Sequence, residues 1–205
     1  MPVLAPAPFP ERRFHFRDDS RDDSAPLVWT VESFLSPAEC AALIDRFEAL
    51  GPAAAPVTTG GGFEMRPDIR NNSRVMFDDP ELAASLFGKA RPHLPDRMYT
   101  ESLEPFSANE RFRGYRYGPG ERFASHYDGS FRRSAREESL FTFMVYLNEG
   151  FRGGSTEFSD FELTVVPRTG MALFFQHALR HEGCAVESGR KYVLRTDVMY
   201  RLAAS

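Results

Sequence analysis

The chain has 205 residues, 42% apolar and 13% aromatic, which is enough to bury one sizeable core and too short for several domains. Its net charge of −4 argues against the basic surface that general nucleic-acid binding requires. No apolar run approaches the roughly 18 residues needed to cross a bilayer, and the two cysteines, Cys40 and Cys184, lack the spacing of a zinc site or a disulfide framework.

The two cysteines suit a reducing compartment. The opening stretch Met1–Pro10 has no basic start and is broken by prolines, so it makes a poor signal peptide. The expectation is a cytoplasmic protein with no membrane and no nucleic-acid partner. Residues 1–25 read as a leader, Pro-rich at first, then carrying Arg-Asp-Asp-Ser at 17–20 and again at 21–24. A solvated, partly mobile segment is expected there. Residues 26–205 read as a single domain, with helical support over 36–95 and a barrel core over 111–201.

Leu27–Val31 predicts a strand. Ser36-Pro37-Ala38-Glu39 then opens a helix: Ser36 caps it, Pro37 suits its first turn and Glu39 completes a capping box. Leu43, Ile44, Phe47 and Leu50 form its apolar stripe, and Gly51 ends it. Periodicity disappears from Pro52 to Asp68, around Gly60-Gly61-Gly62, which reads as a lid, a binding loop or a plain connector. Asp79-Pro80-Glu81 starts a second helix that ends before Pro92 or Pro95. From Arg111 onward the pattern changes to short apolar runs: 111–117, 122–128, 140–147, 162–166, 171–176, 184–186 and 191–200. Closely spaced short strands predict a β-sandwich or barrel, with the helices packed outside one sheet.

His126-Tyr127-Asp128 is the most telling feature within that block. Residues two apart on a strand face the same way. With His181 added from a distant strand, two imidazoles and a carboxylate can occupy one triangular face of a metal and leave the opposite face open. That ligand set marks non-haem Fe(II) oxygenases. His177 competes with His181 as a ligand, although the Glu182-Gly183 that follows favours His181. His15 and His93 are lone and read as surface residues. Lys191 lies within the apolar strand Arg190-Lys191-Tyr192-Val193-Leu194, and an inward-facing lysine there needs an anion. By alternation Arg195 shares its face and Arg190 points the other way.

The wider pattern is Tyr117-x-x-Gly120-x-x-Phe123-x-x-His126-x-Asp128, Tyr146-Leu147-Asn148, Gly153-Gly154-x-Thr156-x-Phe158, Pro167-x-x-Gly170, and His181-Glu182-Gly183-x-x-Val186-x-x-Gly189-x-Lys191-Tyr192. In order and spacing it resembles the catalytic domain of prolyl-4-hydroxylase-type 2-oxoglutarate and Fe(II)-dependent dioxygenases, over about residues 111–201. The resemblance implies a double-stranded β-helix, a jelly-roll, cupin-like barrel, mainly β with flanking α-helices. It implies Fe(II) held by His126, Asp128 and His181. It implies 2-oxoglutarate and O2 as co-substrates, with L-ascorbate as an accessory cofactor. Lys191 would pair with the distal carboxylate of 2-oxoglutarate, and Tyr117, Tyr146 and Thr142 would line its pocket. The implied reaction hydroxylates an unactivated C–H, of a prolyl residue in a peptide or protein, and yields succinate and CO2.

Chain order adds a substrate wall, Arg70-Asn71-Asn72-Ser73-Arg74, with Arg70, Asn71, Arg74 and Arg195 as its candidate contacts. The arginines between 111 and 136 read either as a steering field for an anion or as a solvated face balanced by Glu110, Glu121, Glu137 and Glu138. Three rival readings stand beside the main one. The substrate could be a free amino acid or another small metabolite. A non-oxidative cupin-like barrel would gather three His and a Glu, often with His-x-His, where this chain has His-x-Asp. A hydrolytic zinc site would leave Lys191 unexplained. Asp128→Ala is expected to leave the fold largely intact. Oligomeric state is not legible.

Overall fold

The computed structural model describes residues 21–59, 62–99 and 103–203. Residues 1–20 of the expected leader, and Gly60 and Gly61 of the glycine-rich stretch, lie outside the described residues. In chain order come β1 (Val28–Val31), α1 (Pro37–Leu50), β2 (Ala53–Ala54), β3 (Val57–Thr59), β4 (Gly62–Glu64), β5 (Ser73–Asp78) and α2 (Pro80–Ala90). A short 3-10 turn, Arg91–His93, precedes β6 (Leu103–Ala108), β7 (Arg111–Tyr117), β8 (Phe123–His126), β9 (Arg132–Ser134) and β10 (Glu137–Tyr146). The chain continues with β11 (Arg152–Gly153), β12 (Thr156–Phe158), β13 (Leu163–Val165), β14 (Ala172–Gln176), β15 (His181–Gly183), β16 (Val186–Ser188) and β17 (Lys191–Leu202).

The large sheet runs β1-β14-β10-β17-β7-β5-β2, with β6 added beside β17 and β9 beside β10. A smaller sheet runs β13-β12-β15-β8. The strand pairings are antiparallel, and the two sheets form the double-stranded β-helix of a jelly-roll barrel, mainly β with flanking helices.

Side-chain alternation divides the large sheet into two faces. Phe112, Phe141, Phe143, Phe174 and Leu194 belong to one cluster with Leu43 and Phe47 of α1 and Leu86 of α2. Tyr115, Tyr117, Met144, Tyr146, Phe175 and Val193 belong to a second cluster with Phe158 of the smaller sheet. Gly114 lets α1 approach, because a Cβ there would meet the Phe47 ring at 2.7 Å.

The caps act as their residue types predict. Ser36 accepts from Glu39 N–H, Glu39 reaches back to Ser36, and Gly51 closes α1 in the left-handed region at φ 70°. Asp79 accepts from Leu82 N–H to start α2. Four segments differ from the sequence expectation. Part of the supposed loop 52–68 is the hairpin β3–β4, and β2 adds an edge strand to the large sheet. β5 and β6 were not expected as strands. β5 mixes polar and apolar residues, and β6 contains Pro105, which is tolerated because β6 pairs on one side only. The end of the leader is docked. Asp22 is buried and accepts from Tyr99 N–H at 2.6 Å, while its own N–H donates to Gln176 Oε1 at 2.8 Å.

Candidate metal centre

His126 ends β8, His181 begins β15, and the two are direct partners across the strands. Asp128 lies just beyond β8. One ligand atom from each of the three falls within 4.8 Å of the others, an arrangement that could hold a metal ion. Both imidazole Nε2 atoms lie 3.6 Å from the Asp128 carboxylate. His126 Nδ1 lies 2.8 Å from Ala124 O and His181 Nδ1 lies 3.0 Å from Leu179 O. Each carbonyl fixes the proton on Nδ1 and turns a bare Nε2 toward the carboxylate, as a metal ligand requires.

Electrostatics favour the ligand forms of both buried groups. Burial alone would raise the Asp128 carboxyl, but Arg195 and the two imidazoles hold it well below the usual range. Burial, assisted by His126, pushes His181 down to about 3 against the pull of Asp128. At neutral pH the site therefore offers a carboxylate and a neutral imidazole, with no proton to displace from either.

Behind Asp128 runs a relay the sequence did not disclose. Burial pushes His177 down to about 4, so this ring is neutral and carries one N–H. Ser139 Oγ accepts from Phe131 N–H at 2.8 Å and lies 2.8 Å from His177 Nε2. His177 Nδ1 lies 3.0 Å from Thr142 Oγ1, which donates to Asp128 Oδ2 at 2.6 Å. The polarity that satisfies every atom has Ser139 donating to Nε2 and Nδ1–H donating to Thr142. His177 thus sits behind Asp128 and apart from the ligand trio. Its only legible signal was its place, one residue beyond the inward-facing end of β14.

The centre opens into a cavity lined by Tyr115, Tyr117, Phe123, His126, Asp128, Met144, Thr156, His181, Gly183, Lys191, Val193 and Arg195. Lys191 is 3% exposed, and its ammonium donates to Gly154 O at 2.6 Å. The Tyr117 and Tyr146 rings lie 5.2 and 5.4 Å from it. It has no carboxylate partner among the described residues. Burial lowers it to about 8, a cost that an incoming anion would remove. Two imidazoles and a carboxylate beside a buried, unpaired cation match an open-faced Fe(II) and a dianionic chelator. Burial raises the Tyr117 phenol, so it stays protonated and able to donate.

The other candidate residues divide. Tyr146 is absent from the lining, and its hydroxyl pairs with Thr156 Oγ1 at 2.7 Å. Thr142 likewise does not line the cavity, because its hydroxyl is engaged by Asp128. Arg195 reaches the cavity but is committed to Asp128 at 2.9 Å. Residues 69–71 run beside β8, with Ala124 N–H donating to Ile69 O at 2.7 Å. Arg70 lies over the rings of Tyr115 and Phe123 at 4.5 and 4.4 Å. Asn71 faces away from the cavity: it is exposed and accepts from Arg122 N–H at 2.7 Å. Arg74 is the strand partner of Tyr115. Sequence reasoning missed Tyr115 and Met144 as lining residues. The period of two from Tyr117 and Tyr146 would have found both.

Residues 112–196 match the model of the 2OG-Fe(II) oxygenase superfamily. No curated protein matches the chain in sequence. Among solved structures, a viral collagen prolyl hydroxylase from Paramecium Bursaria Chlorella virus-1, in complex with 2OG, is 22% identical, with 87% of this chain and 98% of that one covered and a TM-score of 0.58. A Pseudomonas putida prolyl-4-hydroxylase is 19% identical, with 86% and 93% covered and a TM-score of 0.59. A Trichoplax adhaerens prolyl hydroxylase, in complex with a peptide fragment of the hypoxia inducible factor oxygen degradation domain, is 14% identical, with 83% and 82% covered and a TM-score of 0.60. These likenesses extend the shared fold well beyond the matched segment, over nearly the whole described chain. Over residues 112–196 the chain is similar to the 2OG-Fe(II) oxygenase superfamily, which uses Fe(II) with 2-oxoglutarate and O2 as co-substrates, and its fold is that of the prolyl hydroxylase structures.

Proposed function

We propose that this protein is a hydroxylase that acts on a prolyl residue in a peptide or protein. The observation that carries the reading is one cavity holding His126, Asp128 and His181 together with Lys191, a buried ammonium lacking a carboxylate partner. Iron bound there, with 2-oxoglutarate and O2, supplies oxidative decarboxylation to succinate and CO2 and the transfer of one oxygen atom into a C–H bond. His126, Asp128 and His181 hold the metal through two Nε2 atoms and one carboxylate oxygen. Lys191 receives the distal carboxylate of 2-oxoglutarate, and the protonated Tyr117 hydroxyl donates to the same co-substrate. Tyr146 braces Thr156 and lies against Lys191, so it supports the pocket from behind. Phe123, Met144 and Val193 keep water from the reacting centre.

Residues 26–205 form the catalytic domain in this reading, and L-ascorbate keeps the iron reduced. The two free cysteines suit a cytoplasmic setting. No helix among the described residues is long and apolar enough to cross a membrane. The peptide preference draws on prolyl hydroxylases of this fold, one of them with a peptide bound. A small-molecule substrate is the second reading, favoured by a Streptomyces hygroscopicus structure of similar fold, HygX, with nickel, 2-oxoglutarate and hygromycin B bound. Succinate formation by protein loaded anaerobically with Fe(II), on admission of O2, tests both. Stimulation by proline-containing peptides is the expected result. Stimulation by free proline alone would move the assignment to a metabolite, and failure to bind both Fe(II) and 2-oxoglutarate would overturn it.

A further inference from the structure

In the cavity and immediately around it the protein carries more positive charge than the metal and 2-oxoglutarate account for. Arg195 and Arg113 are cross-strand partners, and Arg74 is the partner of Tyr115 on the same face of the sheet. Arg70, 4% exposed, lies over Tyr115 and Phe123, both of which line the cavity. With Lys191 this makes five cations. They meet two carboxylates, Asp128 and Asp197: Arg195 sits 2.9 Å from Asp128 and 3.5 Å from Asp197, and Arg113 sits 3.5 Å from Asp197. A dication and a dianion add no net charge, so three positive charges remain in excess. Arg70 and Arg74 have no carboxylate partner among the described residues.

The wall also has unused hydrogen-bonding capacity. Arg70 Nη2 is buried without a hydrogen-bond partner, and Arg195 and the Tyr115 hydroxyl have no partner beyond each other for Nε and the phenol oxygen. Buried polar atoms are rarely left unpaired, and the free Arg70 Nη2 above the Tyr115 ring marks a place for an absent partner. Burial would raise the Tyr115 phenol, yet Arg70, Arg195 and Arg113 pull it down to about 8, a measure of the positive potential there. Arg195 lies four residues along β17 from Lys191, a rise of about 13 Å. Arg195 and Lys191, which both line the cavity, therefore stand at separate positions along it.

We propose that Arg70, Arg74, Arg195 and Tyr115 recognise a carboxylate on the substrate that is hydroxylated, so that the enzyme selects a target carrying an acid close to the oxidised carbon. This rests on the hydroxylase reading of the same site. A planar carboxylate matches the guanidinium fork and is the anion that unmodified peptides carry. It would come either from an acidic side chain next to a prolyl residue or from the α-carboxylate of a small substrate.

Two matched pairs separate the sources: proline peptides differing only by Glu or Gln beside the proline, and free proline against prolinamide. Calorimetric binding to the metal-free protein is measured alongside succinate formation by the Fe(II)-loaded protein. At least one acid should bind tenfold or more tightly than its neutral partner, and the pair that shows this identifies the source. Arg74→Gln, chosen because Arg74 is only half-buried, should cut that preference at least threefold. Equal binding within both pairs would overturn the inference. So would an acid preference that Arg74→Gln and the more buried Arg70→Gln both leave unchanged. Equal succinate formation from acidic and neutral targets removes the inference and keeps the hydroxylase. An acid preference in a protein that takes up neither Fe(II) nor 2-oxoglutarate supports the anion site and removes the hydroxylase.

Discussion

Arg195 Nη1 lies 2.9 Å from Asp128 Oδ1, and both side chains are buried. The arginine is the counter-charge that lets a carboxylate proposed to bind metal exist in the barrel before any metal arrives. Removing one member of a buried pair leaves an uncompensated charge and costs about 3–5 kcal/mol. A divalent cation on Asp128 would supply the missing positive charge. Arg195→Gln should therefore destabilise the metal-free protein by about 3 kcal/mol and the metal-loaded protein by clearly less. Urea unfolding with and without a divalent metal measures the difference. Equal losses in the two states would show that Arg195 does not act through the charge of Asp128.

The same pair argues that Asp128→Ala, expected to leave the fold largely intact, carries a cost in stability. Asp128 balances Arg195 and accepts from Thr142, whereas His126 is partly exposed, stacks on Phe123 and bonds to a local backbone carbonyl, with no buried charge left behind on its removal. Both substitutions should abolish stabilisation by metal. Asp128→Ala should also lower metal-free stability by about 3 kcal/mol, and His126→Ala by about 1 kcal/mol or less. Thermal unfolding of the metal-free variants distinguishes them, and similar losses would count against a structural role for the Asp128–Arg195 pair.

Local rules made much of this architecture legible. The capping residues Ser36, Asp79 and Gly51 act within a few positions of themselves, and alternation along 190–195 put Lys191 and Arg195 on one face of β17. The Asp128 side chain was harder to read, because its partners come from positions 142 and 195, which only the closed barrel brings together. The family resemblance put Tyr146, and with it Thr142 on the same strand, in the co-substrate pocket, and each hydroxyl is engaged by a neighbour. β5 escaped notice because Arg74 and Met76 stand on its inner face, where the usual alternation of buried apolar and exposed polar residues is blurred.

Gly114 tests how closely α1 must approach the sheet. A Cβ at this position would lie 2.7 Å from the Phe47 ring, and Phe47 is 1% exposed with little room to retreat. Gly114→Ala should cost about 1–3 kcal/mol by overpacking. Phe47→Leu in the same chain should recover part of that loss. Denaturant unfolding of the single and double variants reads the coupling, and strict additivity would show that α1 can shift without cost.

Lys191 sets function against stability. Burial lowers its ammonium from an ordinary 10.5 to about 8, so keeping it charged inside the barrel costs about 3 kcal/mol at pH 7. Below about pH 8 it is protonated in both the folded and the unfolded chain, and that cost is fully present. Between about pH 8 and 10.5 the folded chain has released the proton and the unfolded chain still binds it, so the lysine's contribution to stability improves as pH rises. Lys191→Met should accordingly raise stability at pH 7 by up to about 3 kcal/mol, less what the lost hydrogen bond to Gly154 O contributed, and flatten this pH dependence. It should also abolish saturable 2-oxoglutarate binding. In the unsubstituted protein that binding should weaken above pH 8, by up to tenfold per pH unit, because the bound carboxylate requires the ammonium form. Calorimetric titration of 2-oxoglutarate between pH 7 and 10 measures the slope. A flat profile, or a destabilised Lys191→Met variant that still binds 2-oxoglutarate, would move the anchoring role away from Lys191.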